Sequence, residues 1–208
     1  MKTNDGFTLV EIAIVFIIIG LVMGTVLKGS ELITNAKVKN IQNNFSSISK
    51  AITVYREHYH QLPGDDDGAS RFKGVGNSDD GGGDGIINGN FASQTVNDES
   101  RLLWLHLRSA DMVERTSNQQ QQPQNAFNGW MGVSSDSSST SNGNDNGAQG
   151  NNMTLFVGFT GVPGNIAVIL DAHSDDENPI TGRIRSSLSD YDDDNGTTEV
   201  EHQLYFSL

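Results

Sequence analysis

The first hydrophobic feature along the chain is a 21-residue run from Phe7 to Leu27 that contains one charged residue, Glu11. At a rise of about 1.5 Å per residue, a helix of this length spans the roughly 30 Å hydrocarbon core of a bilayer. A cleaved secretory signal is shorter and is followed by a small-residue cleavage site, whereas Lys28 follows this run directly. The pattern therefore predicts a membrane helix that is retained.

Beyond this run, apolar positions recur at alternating spacings of four and three, which predicts an amphipathic helix. The apolar stripe consists of Ile41, Phe45, Ile48, Ile52, Tyr55 and Tyr59. Leu62-Pro63-Gly64 is expected to end the helix, because proline disfavours helical geometry in the residue before it. We expect one long helix whose first half is apolar all round and whose second half needs a small domain to cover one face.

The remainder of the chain contains shorter apolar segments separated by Gly-, Asn- and Asp-rich stretches. A second helix is expected from a cap at Asn97 or Asp98 to about Val113. Residues 116–152 are expected to form a surface loop with one anchored turn. Strand candidates are residues 153–159, 166–170, 183–185 and 204–206, of which 166–170 could equally open a helix. The predicted fold class is α+β, with the long helix packed on a small antiparallel sheet that carries long acidic loops.

The charge balance narrows the classes of function. The chain of 208 residues has 13 Lys and Arg against 26 Asp and Glu, a net charge of -13, and no cysteine. Arg183 and Arg185 are its only cations after Arg115, against about a dozen carboxylates. We expect no nucleic-acid binding, because phosphate affinity depends on clustered Lys and Arg. The missing cysteines exclude disulfides, thiol catalysis and sulfur-held metals.

We expect no enzymatic activity either. The chain has no Gly-x-Ser-x-Gly elbow, no phosphate-binding loop and no His-Glu-x-x-His sequence. Its five histidines are scattered, and its carboxylates lie in Gly/Asp loops rather than in apolar stretches that would raise the pKa of a general acid.

Glu11 is the one charged residue of the membrane run, so its presence there requires an explanation. A carboxylate inside an apolar helix costs on the order of 2.5–3.5 kcal/mol on insertion scales, so such a residue is a functional candidate. That role requires a positive partner inside the membrane. The alternative is that Glu11 lies near the membrane surface and reaches the lipid headgroups.

The processing site of type IV prepilins and type II secretion pseudopilins resembles residues 6–11, which have the sequence GFTLVE. The resemblance implies that an aspartyl peptidase cuts after Gly6 on the cytoplasmic side and that Phe7 is then N-methylated. It also implies that Glu11 neutralises the N-terminal ammonium of an adjacent subunit during assembly. The short polar leader, residues 1–6, has the character that the family shows.

The resemblance also implies a domain organisation and a location. The leader, 1–6, precedes a transmembrane and polymerisation helix, 7–28, an amphipathic helix, 29–62, and a C-terminal globular α+β domain, 63–208. The chain is expected to lie in the bacterial inner membrane with that domain outside the cytoplasm, and then in a pilus or a periplasmic pseudopilus. Its expected partners are copies of itself, other pilins or pseudopilins, the prepilin peptidase and methyltransferase, the inner-membrane assembly machinery and membrane lipid.

Gly20 and Gly24 form a small-xxx-small pattern that lets helices approach closely, so they are candidate assembly residues. They can equally be incidental glycines of a membrane helix. Members of the family often have a proline shortly after the first glycine, whereas this chain has Lys28 and Gly29 in that region. This difference leaves open whether the helix bends there.

Two acidic stretches are candidate calcium sites, since oxygen ligands on a flexible backbone suit this ion. In the first, Asp80 and Asp84 would supply side chains and Ile86 a carbonyl in an EF-hand-like loop. The match is incomplete because Phe91 stands where the bidentate glutamate belongs.

A carboxylate from the next helix, Asp98 or Glu99, would have to complete this first site. The second candidate consists of Asp171, Asp175 and Asp176, in an acidic segment that ends in Pro-x-Thr-Gly. For both candidates the alternative is a solvated acidic loop without a metal. Residues 190–195 form a third and weaker candidate.

Two functions from different classes follow from these features. The first is a structural subunit of a type IV pilus or a type II secretion pseudopilus. The alternative is a monomeric membrane-anchored or secreted calcium-binding adhesion module. The two differ at Glu11, because a monomeric anchor has no use for a charge at that depth.

Overall fold

The computed structural model describes residues 8–135, 155–188, 190–191 and 201–208. The predicted leader with Gly6 and Phe7 lies outside the described residues, as does most of the third acidic candidate. The chain divides into two compact units, residues 1–39 and 40–208.

The first element is helix α1, Leu9–Tyr59, which belongs to the first unit up to residue 39 and to the second from residue 40. It ends three residues before Leu62, the end expected from the sequence, because His60 takes a left-handed backbone conformation with φ 58°. Its amide still donates to the carbonyl of Arg56 at 2.9 Å, which closes the last turn.

The second unit contains the remaining helices and all the strands of the described residues. In chain order these are α2 (Glu99–Ser109), β1 (Met131–Ser134), β2 (Phe156–Pro163), α3 (Gly164–Ser174), β3 (Ile184–Ser186) and β4 (Glu201–Ser207). The strands form one antiparallel sheet in the order β1-β2-β4-β3. A long helix and a small antiparallel sheet confirm the predicted α+β class.

One face of the sheet packs against the second half of α1. Phe159 of β2 and Phe206 of β4 have ring centroids 5.2 Å apart, and Phe206 also lies 5.2 Å from Phe45 of α1. In the predicted apolar stripe, Phe45 and Tyr59 are half-buried and the other four residues are buried. The three-four spacing therefore faces the core as expected.

The opposite face of the sheet is covered by the loop before α2. Phe91 packs edge-on against Tyr205 and Phe156, with ring centroids 5.6 and 6.1 Å away. Gly158 of β2, which pairs with Tyr205, has no side chain and so leaves the space that the Phe91 ring occupies. Alternate residues of β2 and β4 thus point to two buried faces, as the pleat of a strand requires.

Two parts of the second unit differ from the simplest expectation. Residues 166–170 belong to α3, so the helical alternative for this apolar run is the right one. Strand β1 lies inside the segment expected to be a surface loop. Its four residues are too few to show a period, and it is identified by its pairing with β2, for example Val133 with Val157.

Candidate functional site

The first unit presents an apolar surface that no described residue of the chain covers. From Leu9 to Leu27, the large hydrophobic side chains are between 44% and 87% exposed. This part of α1 is long and apolar enough to cross a membrane. A surface of this kind is stable only when lipid or other apolar helices cover it.

Glu11 lies in the first turn of α1, where it forms a capping box with Thr8. Its Oε2 accepts hydrogen bonds from the Thr8 backbone amide and hydroxyl, both at 3.3 Å. In return, the Glu11 amide donates to Thr8 Oγ1 at 3.3 Å. The Thr-x-x-Glu sequence of residues 8–11 signals this box, so Glu11 has a capping role in addition to its charge.

Gly20 and Gly24 lie one turn apart on α1, and a Cβ atom at either position would meet nothing within 4 Å. The helix backbone is therefore bare at both positions. Another helix can approach it more closely there than at the surrounding Ile, Leu and Met residues.

The family model of the prokaryotic N-terminal methylation motif matches residues 1–27. These residues carry the signature that type IV pilins and pseudopilins share. This segment covers the apolar part of α1 together with Glu11, Gly20 and Gly24, and it marks pilin-like proteins that prepilin peptidase processes. No curated protein and no solved structure matches the chain significantly.

In the second unit, the first predicted acidic site keeps Asp84 and Glu99 of the expected residues but has Asp65 in place of Asp80. Asp84 comes together with Asp65 and Glu99, and one carboxylate oxygen from each lies within 4.8 Å of the others. Asp80 instead accepts a hydrogen bond from the Ser70 amide at 2.6 Å. Ile86 donates its amide to Asp84 Oδ1 at 2.9 Å.

Backbone amides already occupy the carboxylates of this first cluster. Asp65 accepts from the amides of Asp84 and Gly85 at 3.0 and 2.8 Å. Glu99 accepts from the amides of Gly82 and Asn88 at 2.7 and 2.8 Å. Burial raises the pKa of Asp65 in spite of these hydrogen bonds. The cluster therefore acts as a clamp that fixes the Gly-rich loop to the start of α2.

The second predicted acidic site comes together from the three residues proposed for it. One oxygen from each of Asp171, Asp175 and Asp176 lies within 4.8 Å of the others. Asp171 is buried in the last turns of α3, Asp175 directly follows the helix and is half-buried, and Asp176 is exposed. The cluster thus combines one carboxylate in the protein interior with two that reach solvent.

A serine–histidine pair in the second unit does not form an open catalytic site. Ser186 Oγ and His202 Nδ1 lie 2.7 Å apart, and both residues are 1% exposed. Ser186 Oγ also accepts from the Leu188 amide at 3.2 Å. A hydroxyl enclosed in this way cannot reach a substrate in solution.

Proposed function

We propose that the chain is a structural subunit of a type IV pilus or a type II secretion pseudopilus. It is cut after Gly6 by prepilin peptidase, N-methylated at Phe7 and assembled through α1. The observation that carries this proposal is the methylation motif at residues 1–27, which coincides with the apolar, exposed part of α1.

The chemistry of assembly follows from the position of Glu11. Cleavage after Gly6 creates an ammonium group at Phe7, four residues before the only carboxylate of the apolar run. In an apolar bundle each of these charges is costly alone, and a partner in a neighbouring subunit offsets that cost. The ion pair thereby fixes the axial position of one subunit relative to the next. Gly20 and Gly24 let the helices approach.

Before assembly, such a subunit is stored in the inner membrane. Its α1 spans the inner membrane once, with the second unit outside the cytoplasm, and its partners are the peptidase and methyltransferase, the assembly machinery and other pilins. The exposed apolar side chains along the first half of α1 support contacts with lipid before assembly and with neighbouring helices in the filament.

The first test is the intact mass and N-terminal sequence of the protein recovered from its membrane. We expect a chain that begins at Phe7 and carries one additional methyl group. A chain that still begins at Met1, or one cut beyond Leu27, contradicts processing by prepilin peptidase.

The second test separates the charge of Glu11 from its capping role. Glu11→Gln keeps a side chain that completes a capping box but removes the charge, whereas Thr8→Ala removes the cap partner and keeps the charge. If charge pairing drives assembly, Glu11→Gln is processed normally but enters filaments at least tenfold less, and Thr8→Ala assembles nearly as well as the wild type. The reverse order of the two variants contradicts charge pairing.

The same pair of variants tests the second candidate function, a monomeric calcium-binding adhesion module. The acidic cluster of Asp171, Asp175 and Asp176 in the second unit favours this candidate. A monomeric anchor predicts that Glu11→Gln is neutral or improves membrane insertion, since it removes an unpaired charge. It also predicts that the wild type is recovered as single chains rather than as filaments.

A further inference from the structure

Three carboxylates meet where α3 ends, and their mutual repulsion needs an explanation. The converging oxygens of Asp171, Asp175 and Asp176 lie within 4.8 Å of one another. Like charges at such distances repel one another, and they do so more strongly near a protein surface than in bulk water. A cation among them would convert this repulsion into attraction.

Asp171 supplies an observation that is independent of the cluster. Asp171 is 0% exposed, and its Oδ1 is a buried atom without a hydrogen-bond partner. Its Oδ2 accepts from the hydroxyl of Tyr191 at 2.8 Å. Burial raises the pKa of Asp171, and Asp175 and Asp176 raise it further, against the lowering effects of Tyr191 and, more weakly, of the Glu177 amide. A buried oxygen without a partner is a destabilising feature unless a ligand completes it.

The loop after α3 holds the other two carboxylates in place. The Asp175 amide donates to the carbonyl of Asp171 at 2.7 Å, and Asp175 Oδ2 accepts from the amides of Arg183 and Ile184. A Cβ atom at Gly182, where φ is 75°, would collide with this carboxylate. Both hydrogen bonds of Asp175 use Oδ2, so its Oδ1 stays available as a ligand.

Asp176 is fixed by side-chain and backbone donors of the same loop. Its Oδ1 accepts from the Asn178 amide at 3.2 Å, and its Oδ2 accepts from the Thr181 hydroxyl at 2.6 Å. The carboxylate is thus oriented before any ion arrives, which lowers the entropy lost on binding.

We propose that Asp171, Asp175 and Asp176 bind a calcium ion at the C-terminal end of α3. The ligands are all oxygen atoms, which favours a hard cation over zinc or copper. Calcium takes six to eight oxygens at about 2.3–2.6 Å in flexible geometry, and the exposed side of this cluster leaves positions for water. Magnesium demands a nearly ideal octahedron and keeps most of its water, so it fits less well.

The first acidic cluster does not carry the same inference. Backbone amides hold Asp65 and Glu99, and the described residues of that cluster include no buried oxygen without a partner, so nothing besides the cluster itself points to an ion there. The site at the end of α3 is also independent of filament assembly, so either proposal can fail alone.

The test is a calcium titration of the full chain in detergent micelles, followed by calorimetry after removal of metal with a chelator. We expect one ion per chain at this site and a higher Tm in calcium than in EGTA, because the ion joins α3 to the start of β3. Asp176→Asn, which changes an exposed side chain, should weaken binding roughly tenfold or more. Asp171→Asn should do the same if it folds.

Two matched variants locate the ion. Asp111→Asn removes the same charge from an exposed position with φ 57°, which asparagine tolerates, and should leave calcium affinity unchanged. Asp84→Asn alters the first cluster and should also leave it unchanged. Loss of binding in Asp84→Asn with retention in Asp176→Asn overturns the assignment, as do equal Tm values of the wild type in calcium and EGTA.

Terbium luminescence gives a positional readout. Tyr191 donates its hydroxyl to Asp171, so light absorbed by its ring should sensitise terbium bound at this site. Tyr191→Phe should reduce that emission strongly while calcium binding by calorimetry persists. Emission that is unchanged in Tyr191→Phe places the lanthanide elsewhere and contradicts the proposal.

Discussion

At the scale of single residues, His106 joins two loop segments through both of its ring nitrogens. Its Nδ1 accepts from the Gly64 amide at 2.9 Å, and its Nε2 lies 2.8 Å from the carbonyl of Asp79, to which it must donate. Burial lowers the pKa of His106, and this effect exceeds the opposite influence of the Asp79 hydrogen bond and of Asp66. The neutral ring is therefore the form that the fold requires.

The His106 contacts predict a loss of stability in mild acid. Because its pKa is lower in the folded than in the unfolded chain, the unfolded state binds more protons below about pH 6.5. The free energy of unfolding should then fall by up to about 1.4 kcal/mol per pH unit below that value. Denaturant titrations of the full chain in detergent from about pH 7.5 to about pH 5.5 measure this slope.

Two variants isolate the contribution of His106. His106→Gln removes the titrating group, and its pH slope should be flatter than that of the wild type. His58→Gln changes an exposed histidine of α1 and should keep the wild-type slope. Equal slopes in the wild type and His106→Gln contradict the assignment.

Asp66 joins the loop that follows α1 to the helix itself. It is fully buried, accepts from the Tyr55 hydroxyl at 2.6 Å and forms an ion pair with Arg71. Burial alone would raise the pKa of Asp66, but hydrogen bonds from Arg71, Tyr55 and the Gly68 amide hold it below its ordinary value. The carboxylate thus stays charged at neutral pH.

Replacing Asp66 should be costly. Asp66→Ala leaves the Tyr55 hydroxyl buried without a partner and should lower the free energy of unfolding by about 2–3 kcal/mol, less than for a fully buried pair because Arg71 reaches solvent. The neighbouring Asp67→Ala removes an exposed carboxylate and should cost less than about 0.5 kcal/mol. Thermal unfolding of both variants checks this, and similar losses would count against a special role for Asp66.

The two acidic clusters show which groups of carboxylates a sequence can predict to come together. Asp171, Asp175 and Asp176 lie within six residues, so the end of one helix brings them together without help from distant contacts. The first cluster joins Asp65 and Asp84 to Glu99 across long loops. Spacing within one loop predicts Asp80 as a member of this cluster. Only the folded backbone shows that the Asp80 carboxylate instead accepts a hydrogen bond from the Ser70 amide.

At the scale of elements, the long patterns were predictable and the short ones were not. The stripe of α1 repeats over five intervals, so its period is clear before any packing is known. Strand β1 has four residues, and the apolar run within α3, residues 166–170, has a length that fits a strand or a helix. Both are decided by tertiary contacts, for example the pairing of Met131 with Phe159.

Packing between elements predicts the effect of adding one methyl group to β2. Gly158→Ala would place a Cβ atom within 2.6 Å of three atoms of the Phe91 ring. This overpacking should destabilise the fold by about 1–3 kcal/mol. Phe91→Leu replaces that ring with a smaller aliphatic group, so the double variant should lose clearly less than the sum of the single losses. Denaturant unfolding of the three variants measures this coupling, and additive losses would contradict the close contact.

At the scale of the whole molecule, apolar and acidic surfaces are separated along the chain. The exposed large hydrophobic side chains lie mainly between Leu9 and Ile33, whereas the second unit has its own buried core. The first part needs lipid or other chains to cover it, whereas the hydrophobic core of the second is buried within that unit. This division is what a subunit needs if it is stored in a membrane and then moved into a filament.

The division predicts that residues 29–208 form a soluble, folded fragment. Removing residues 1–28 takes away two lysines and two carboxylates, so the fragment keeps the net charge of -13 that favours solubility. We expect it to be monomeric without detergent and to show the near-UV circular dichroism of the full chain. Light scattering coupled to size-exclusion chromatography measures its mass, while the full chain should aggregate in the same buffer. Aggregation of the fragment would mean that the second unit also carries an assembly surface, and loss of its near-UV signal would mean that the second unit depends on the first to fold.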